Sequence, residues 1–286
     1  MIVSGIGQGL YWAIMALGLF LTFRILNFPD MTAEGSFPLG GAVVVVLIRQ
    51  GVTPLLATLI AFIAGALAGS VTGFLHTKGK VPLLLAGILV MSGMNSVMLL
   101  VMGQANLSLL HFTKLNQLGI LKIFPADARE VVIGLVACVG IGLLLFFFTR
   151  TTFGQAFIAA GDNPKMTKSL GINYNKMEVV GLMLGNGLIS LSGALLAQSD
   201  GYADVNKGFG VIVIGLSAII LGEVLFGDIT LGKRLWGTIL GAILYQLLLV
   251  VIIALGLDTT YLKGITAIIL AFFLMLPHLM EGGKKA

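Results

Sequence analysis

The sequence predicts an all-α polytopic membrane protein of about nine transmembrane helices, with eight to ten in range and at least one broken or re-entrant. Three observations carry that reading. Hydrophobic residues fill 58% of the 286 positions and charged residues only 10%, whereas a soluble domain carries about 25% charged residues on its surface. Apolar runs recur along the whole chain, at a mean hydropathy of +1.06. Glycine occurs 39 times, which suits helices that associate in lipid through small residues and close backbones.

A helix needs about 20 apolar residues to cross the hydrocarbon core. The first such run, 5–26, follows an N-terminus without a basic n-region, so it reads as a membrane helix and not as a cleaved signal. FPLGGAVVVVLI at 37–48 is shorter and belongs to a helix starting nearer residue 31. Runs at 53–75, 82–103 and 129–149 come next, then 177–198, 208–226, 235–256 and 262–277. A re-entrant stretch within 200–235 stays open.

Lys and Arg set the orientation, because positive charge is retained in the cytoplasm. With the N-terminus outside, Arg24, Lys78, Lys80, Arg150, Lys165, Lys168, Lys176, Lys233, Arg234, Lys284 and Lys285 lie inside. Only Arg49, Lys114, Lys122, Arg129, Lys207 and Lys263 lie outside. The opposite topology inverts this excess. The C-terminus is therefore expected in the cytoplasm, and the 150–176 segment with it. The net charge of +5 is spread over helix ends and forms no nucleic-acid-binding face. Cys138 is the only cysteine, which excludes an intrachain disulfide. His76 and His111 have no second ligand at metal spacing, so no metal is assigned.

The stretch TTFGQAFIAAGDNPKMTKSLGIN, 151–173, is strongly polar between apolar runs. Asp162 or Asn163 can cap a helix there, and Pro164 suits its first position. Gly171 can end it in the left-handed conformation. Met166 and Leu170, four apart, share a face. So short a helix is marginal alone in water and needs a packing partner, which Lys165 and Lys168 suggest is a protein or an anionic surface. Two readings stand: a loop helix resting on headgroups, or a coupling helix seated in a socket on a cytoplasmic motor.

FGQAFIAAGDNPKMTKSLGIN resembles the cytoplasmic loop of permease subunits of ABC importers of the branched-chain amino acid and ribose (type II) class. The likeness rests on Gly161, Asn163, Pro164, Gly171 and Ile172. The arginine that many members carry in the Ala-rich part is absent, since this chain reads QAFIAAG. GLYWAIMALGLFLTFRILNFPDMTAEGSFPLGGAV and GALAGSVTGFLHTKGKVPLLLAGILVMSGMNSV are similar to the family's first four helices. DGYADVNKGFGVIVIGLSAIILGEVLF resembles a narrower branch that includes tryptophan and tyrosine uptake permeases.

The resemblance implies one transmembrane permease domain over 1–286, in a multi-pass protein of the bacterial cell membrane. It implies a permease homodimer, two ATP-binding cassette subunits below and one external solute-binding lipoprotein above. ATP and Mg would sit on the partner ATPase, with no cofactor on this chain. Gly161, Asp162, Asn163, Pro164, Met166, Leu170, Gly171 and Ile172 would form the ATPase-coupling site. The chain has no G-x-x-x-x-G-K-[ST] phosphate cradle of its own, which makes it a transport subunit and not an enzyme. The expected solute is an aromatic amino acid such as tryptophan or tyrosine, with nucleosides or sugars as the alternative.

A charge inside a span costs about 2.5–3.5 kcal/mol on insertion scales. Asp30 and Glu34 lie between Pro29 and Pro38, the mark of a broken element. They either anchor a helix at the headgroups or line a pathway. Glu223 precedes a loop with Asp228, Lys233 and Arg234, so an interfacial ion pair or a proton relay are its two readings. Ser92, Asn95, Asn186 and Gln198 join Glu34 as pathway candidates, with an Asn95–Asn186 bond across helices as the structural use. Asp200, Asp204 and Lys207 are candidates for docking the binding protein. An ion-coupled secondary transporter is a further alternative, although no inverted repeat is visible. An intramembrane enzyme lacks a paired nucleophile and base.

Overall fold

The computed structural model describes residues 2–117, 119, 123–226, 230–254, 264 and 268. Its helices are α1 (Ile2–Leu19), α2 (Ala33–Arg49), α3 (Pro54–Thr77), α4 (Leu83–Met102) and α5 (Ala126–Arg150). After them come α6 (Thr152–Asp162), α7 (Pro164–Ser169), α8 (Tyr174–Asp200), α9 (Val211–Phe226) and α10 (Leu231–Ala254). Two three-residue strands, β1 (Asn106–Ser108) and β2 (Tyr202–Asp204), pair antiparallel, with Leu107 opposite Ala203.

Among the described residues, seven helices are long and apolar enough to cross a membrane: Val3–Ile25, Pro54–Thr77, Leu83–Met102, Ala128–Arg150, Tyr174–Asp200, Val205–Phe226 and Leu231–Ala254. The expected count of nine also includes α2, which has 17 residues, and the 262–277 run, which apart from 264 and 268 lies outside the described residues.

Helix α8 is the axis of the bundle, and glycine lets its neighbours reach it. A Cβ on Gly40 of α2 would lie 1.9 Å from the carbonyl oxygen of Ser190, and one on Gly193 of α8 would lie 1.9 Å from that of Phe37. The α2 and α8 backbones therefore touch, as the small-residue packing of membrane helices requires. The same helix buries a ladder of polar side chains, each aimed at a different neighbour. Ser190 Oγ donates to Ala61 O of α3 at 2.6 Å, and Ser192 Oγ donates to Tyr11 O of α1 at 2.7 Å. On the outer face of α3, Leu55, Leu59, Ile63, Leu67 and Val71 form an exposed stripe at helical spacing, the kind of surface that lipid or a neighbouring membrane helix covers.

The break expected between Pro29 and Pro38 lies at Leu26–Thr32. There α1 ends in a π-helical turn, Phe20–Ile25, and Asn27 has φ 58°. Pro38 lies inside α2 and does not interrupt it. Its missing N–H removes the helical donor to Glu34 O, and the backbone of Gly208 packs over that carbonyl, where a Cβ would come within 1.9 Å. Strand β2 and the 3-10 turn that follows it, Val205–Gly208, thus run beside α2 from Gly41 toward Glu34. Helix α9 then carries the chain to the far end, where Glu223 meets Arg24. Within the stretch left open as re-entrant, the 3-10 turn Val205–Gly208 and α9 together are long and apolar enough to cross a membrane.

Glu223 is paired with Arg24, Nε to Oε1 at 2.6 Å. The expected ion pair exists, and the partner it shows is Arg24, from the end of α1; positions 228 and 229 of the loop lie outside the described residues. The two side chains are 44% and 25% exposed, and pairs this open contribute about 0–1 kcal/mol. Glu223→Gln is therefore expected to lower the unfolding midpoint in detergent by only a few degrees or less and to leave transport intact. A variant that inserts normally but no longer transports would restore the proton-relay reading.

The bundle has two chemically different ends. Arg24, Lys78, Arg150, Lys165, Lys168 and Lys176 belong to the end where α6 meets α1 and where α8 begins. Arg49, Lys114, Arg129 and Lys207 belong to the other, where Arg49 Nη1 donates to Ser108 O and Ser199 Oγ donates to Glu130 Oε1.

Candidate functional site

The polar connection between α5 and α8 folds as two capped helices. Thr151 caps α6, its Oγ1 accepting from Gly154 N at 3.0 Å. Phe157 and Ala160 are fully buried, with Phe157 edge-on to Phe148, centroids 5.9 Å apart. Gly161 then meets α1: its Cβ, were there one, would be 1.7 Å from Ile25 O. Asn27 Nδ2 adds a bond to Gly161 O at 3.3 Å.

Of the two candidate caps, Asn163 is the one used. Its Oδ1 accepts from Met166 N at 3.0 Å, while Asp162 closes α6 with its side chain exposed. Pro164 occupies the first position of α7. The far end closes as a Schellman motif. Gly171, at φ +77°, donates to Lys168 O at 3.1 Å, and Ile172 donates to Thr167 O at 3.2 Å. Thr167 is buried and bonds back to Ala159 O at 2.8 Å, tying α7 to α6. What remains outward is Met166, 50% exposed, and Leu170, 63% exposed, between the exposed Lys165 and Lys168. The result is an apolar, basic-rimmed knob that is fastened to the ends of α1 and α8 and left exposed by the described residues.

Three pathway candidates come together elsewhere. Glu34, Ser92 and Asn95 line one cleft of about 140 Å³ between α2, α4 and the turn at 205–209, with Met91, Met98 and Phe209 as its apolar lining. Glu34 Oε1 accepts from Gly210 N at 3.1 Å, so the carboxylate is aimed along the irregular backbone. Non-helical backbone at membrane depth is tolerated where it is buried in protein or lines a wet cavity. The volume is below the roughly 300–1,000 Å³ of pockets that enclose a ligand, so the cleft is too small to hold a bound solute by itself. Sequence reasoning passed over Met91 and Met98, although they share the helical spacing of Asn95.

Asn186 and Gln198 are not in that cleft. Asn186 is fully buried at the middle of α8. Its Nδ2 donates to Asp30 Oδ2 at 2.6 Å, and its Oδ1 accepts from Ser36 Oγ at 2.7 Å. The bond expected between Asn95 and Asn186 is not made, because both polar ends of Asn186 are already used and Asn95 is exposed on α4. Asp30 is fully buried and also accepts from Thr32 N at 2.9 Å. It therefore sits neither at headgroups nor in the cleft, but in a polar knot joining the start of α2 to α8. Gln198 is buried too, donating to Thr58 Oγ1 at 2.8 Å and accepting from Leu115 N at 3.2 Å.

Each docking candidate has a partner within the loops of this end. Lys207 forms an ion pair with Asp200 and lies over the Tyr202 ring at 4.6 Å. Asp204 accepts from Asn206 N at 2.7 Å and from Asn106 Nδ2 at 3.1 Å. Among the described residues, no group of three His, Cys, Asp or Glu side chains converges.

A bundle of membrane-length helices, a fastened amphipathic knob at its basic end and an irregular stretch beside a small polar cleft are the parts of a membrane permease subunit. The chain belongs to the family described as "Branched-chain amino acid transport system / permease component", whose model matches residues 1–276. It is thus an ABC-importer permease of the type II class, a multi-pass plasma-membrane protein with a transport role and not a catalytic one. It is 41% identical over 284 residues to the "Tyrosine transport system permease protein" of Clostridioides difficile (strain R20291), covering 99% of this chain and 94% of that one. It is 26% identical over 263 residues to the "Ribose import permease protein RbsC" of Escherichia coli (strain K12), covering 90% and 79%. Among solved structures, "PsaBC from Streptococcus pneumoniae in complex with Fab" shares the fold at a TM-score of 0.56 and 15% identity, over 96% of this chain and 88% of that one.

Proposed function

We infer that this permease carries an aromatic amino acid, tyrosine or tryptophan, into the cytoplasm. The observation that carries this reading is the 41% identity, over nearly the full length of both chains, to a permease named for tyrosine transport. Two copies of the chain form the pore, two ATP-binding cassette subunits bind Mg and ATP below, and one external lipoprotein delivers the solute above. The N-terminus faces outward, in keeping with the basic residues at the α6–α7 end. The segment 150–176 transmits ATPase motion through α7, and the solute passes beside Glu34, Ser92 and Asn95.

Reconstitution with the ATPase and lipoprotein in liposomes tests the whole reading. Tyrosine or tryptophan is expected to accumulate only with ATP on the ATPase side. Ribose accumulation in its place, as the 26% similarity to a ribose permease allows, would overturn the substrate. Uptake that persists without ATP and collapses with an ion gradient would overturn the mechanism. Glu34→Gln keeps an acceptor for Gly210 N and removes the charge. It is expected to slow amino-acid uptake roughly tenfold, the worth of one lost charge-assisted hydrogen bond, with basal ATP hydrolysis unchanged. Normal uptake by Glu34→Gln, Asn95→Ala and their combination would take the pathway away from this cleft.

A further inference from the structure

A second, larger cavity of about 700 Å³ opens between the last turns of α3 and the first turns of α8, away from both sites above. Its two walls change character in the same direction. On α3, Val71 and Phe74 lie about two turns and one turn short of the helix end, and Lys78 stands just beyond it. On α8, Val179 lies deeper, Lys176 one turn nearer the end, and Asn175 and Asn173 at the mouth. The hydroxyls in the gutter do not make it polar. Ser70 Oγ donates to Leu67 O at 2.6 Å and Thr77 Oγ1 to Gly73 O at 2.7 Å, so each is satisfied by its own helix.

The mouth is cationic without compensation. Lys78 and Lys176 are exposed, no acidic residue lines the cavity, and neither lysine has a carboxylate partner among the described residues. Lys78 Nζ is held 5.1 Å above the Phe74 ring, which fixes the charge where the apolar wall ends. The cavity lies on a membrane-spanning surface, continuous with the exposed Leu67 and Val71 of α3. It therefore passes from hydrocarbon to water over its own length.

We propose that this gutter is a binding site for an anionic diacyl phospholipid. The acyl chains lie on Val71, Phe74 and Val179, the phosphate sits between Lys78 and Lys176, and Asn173 and Asn175 meet the glycerol or headgroup hydroxyls. A lipid fits better than a soluble anion because apolar wall and paired cations occur together, and basic pockets between membrane helices select anionic headgroups. A zwitterionic headgroup would bring its own ammonium to a mouth with no acid to receive it. The site adjoins Asn173, which caps α8 directly after the α7 knob, so an occupied gutter would brace the base of that knob. The proposal needs the membrane setting of the chain but not the choice of solute.

The full-length permease, in nanodiscs of mixed phosphatidylglycerol and phosphatidylethanolamine, is released into detergent and weighed by native mass spectrometry. Retained phosphatidylglycerol is expected to exceed phosphatidylethanolamine about thirtyfold, the combined effect of two basic side chains near an anionic surface. Lys78→Glu with Lys176→Glu should bring the ratio to parity, while Lys80→Glu, a basic-to-acidic change outside the gutter, should leave it. Lys78→Gln with Lys176→Gln removes charge without repulsion and serves if the acidic pair fails to insert. A wild-type ratio near parity would overturn the proposal, as would an unchanged ratio in the double variants. Soluble glycerophosphoglycerol displacing the lipid as well as phosphatidylglycerol does would make this a free-anion site. A disulfide joining two copies through Val71→Cys would make it a subunit interface.

Discussion

Gly161→Val is expected to reduce solute-stimulated ATP hydrolysis of the reconstituted transporter to its basal level, while the permease still inserts and assembles. The cause is a backbone contact. A Cβ at Gly161 falls 1.7 Å from Ile25 O, a separation no side-chain rotation relieves, so the end of α6 must lift away from the π-helical end of α1. The lift also breaks the bond from Asn27. Overpacking of this kind costs about 1–3 kcal/mol, less than the stability of a typical fold. The first consequence is therefore a loosened lever and not an unfolded protein. The α7 knob keeps its own caps, Asn163 and Gly171, but loses the fixed base through which a push would reach α1 and α8. Leu170→Asp separates knob from lever, because Leu170 is 63% exposed and its replacement disturbs no packing inside this chain. It should abolish stimulation as completely as Gly161→Val, with an unchanged unfolding midpoint. Stimulation that survives in both variants would remove the coupling role from this segment.

That knob was legible in the sequence because its information is local. A cap, a proline at the first helical turn and a glycine where φ must be positive lie within ten residues of one another, and each acts on the backbone beside it. The long apolar runs were legible for the same reason. The polar residues inside the spans were not, since their roles depend on what the fold places opposite them. Asn186 and Asp30 are 156 positions apart, and nothing near either identifies the other. Glu223 was placed in an ion pair, but its partner, Arg24, is 199 residues away. Asp200 and Lys207 look from the sequence like free surface charges, and the turn between them folds them onto each other. Pro38 misled in a more physical way. Its lost hydrogen bond is real, but the helix continues because α8 and the Gly208 backbone hold α2 from both sides. The break falls instead just before α2, at Leu26–Thr32, and a second irregular stretch, β2 with its 3-10 turn, lies between Gly201 and Gly210, both at positive φ.

Asn186→Leu is expected to be the most destabilising single substitution among the buried polar positions of α8. Leucine nearly matches asparagine in size, so the change empties little space. What it removes is the donor to Asp30 Oδ2 and the acceptor for Ser36 Oγ. Asp30 then keeps only the bond from Thr32 N and Thr32's side chain nearby, at a site with no exposed surface. Leaving a buried polar group without its hydrogen-bond partner costs about 1–3 kcal/mol, and here two such groups lose a partner, a large share of the 5–15 kcal/mol typical of a folded domain. Cys138 gives a direct readout: it is the only cysteine, 1% exposed, and a thiol-reactive dye labels it only as the bundle opens. The labelling midpoint should fall well below that of wild type in Asn186→Leu. It should rise again in Asp30→Leu with Asn186→Leu, by about 2 kcal/mol of coupling, because the carboxyl is then no longer left without its partner. The double variant also separates the two roles open to Asn186. If the residue lines the solute route, restored stability will not restore uptake. If it serves the knot alone, uptake should recover together with the midpoint, since the route beside Glu34 and Asn95 is formed by other faces of α2 and α4.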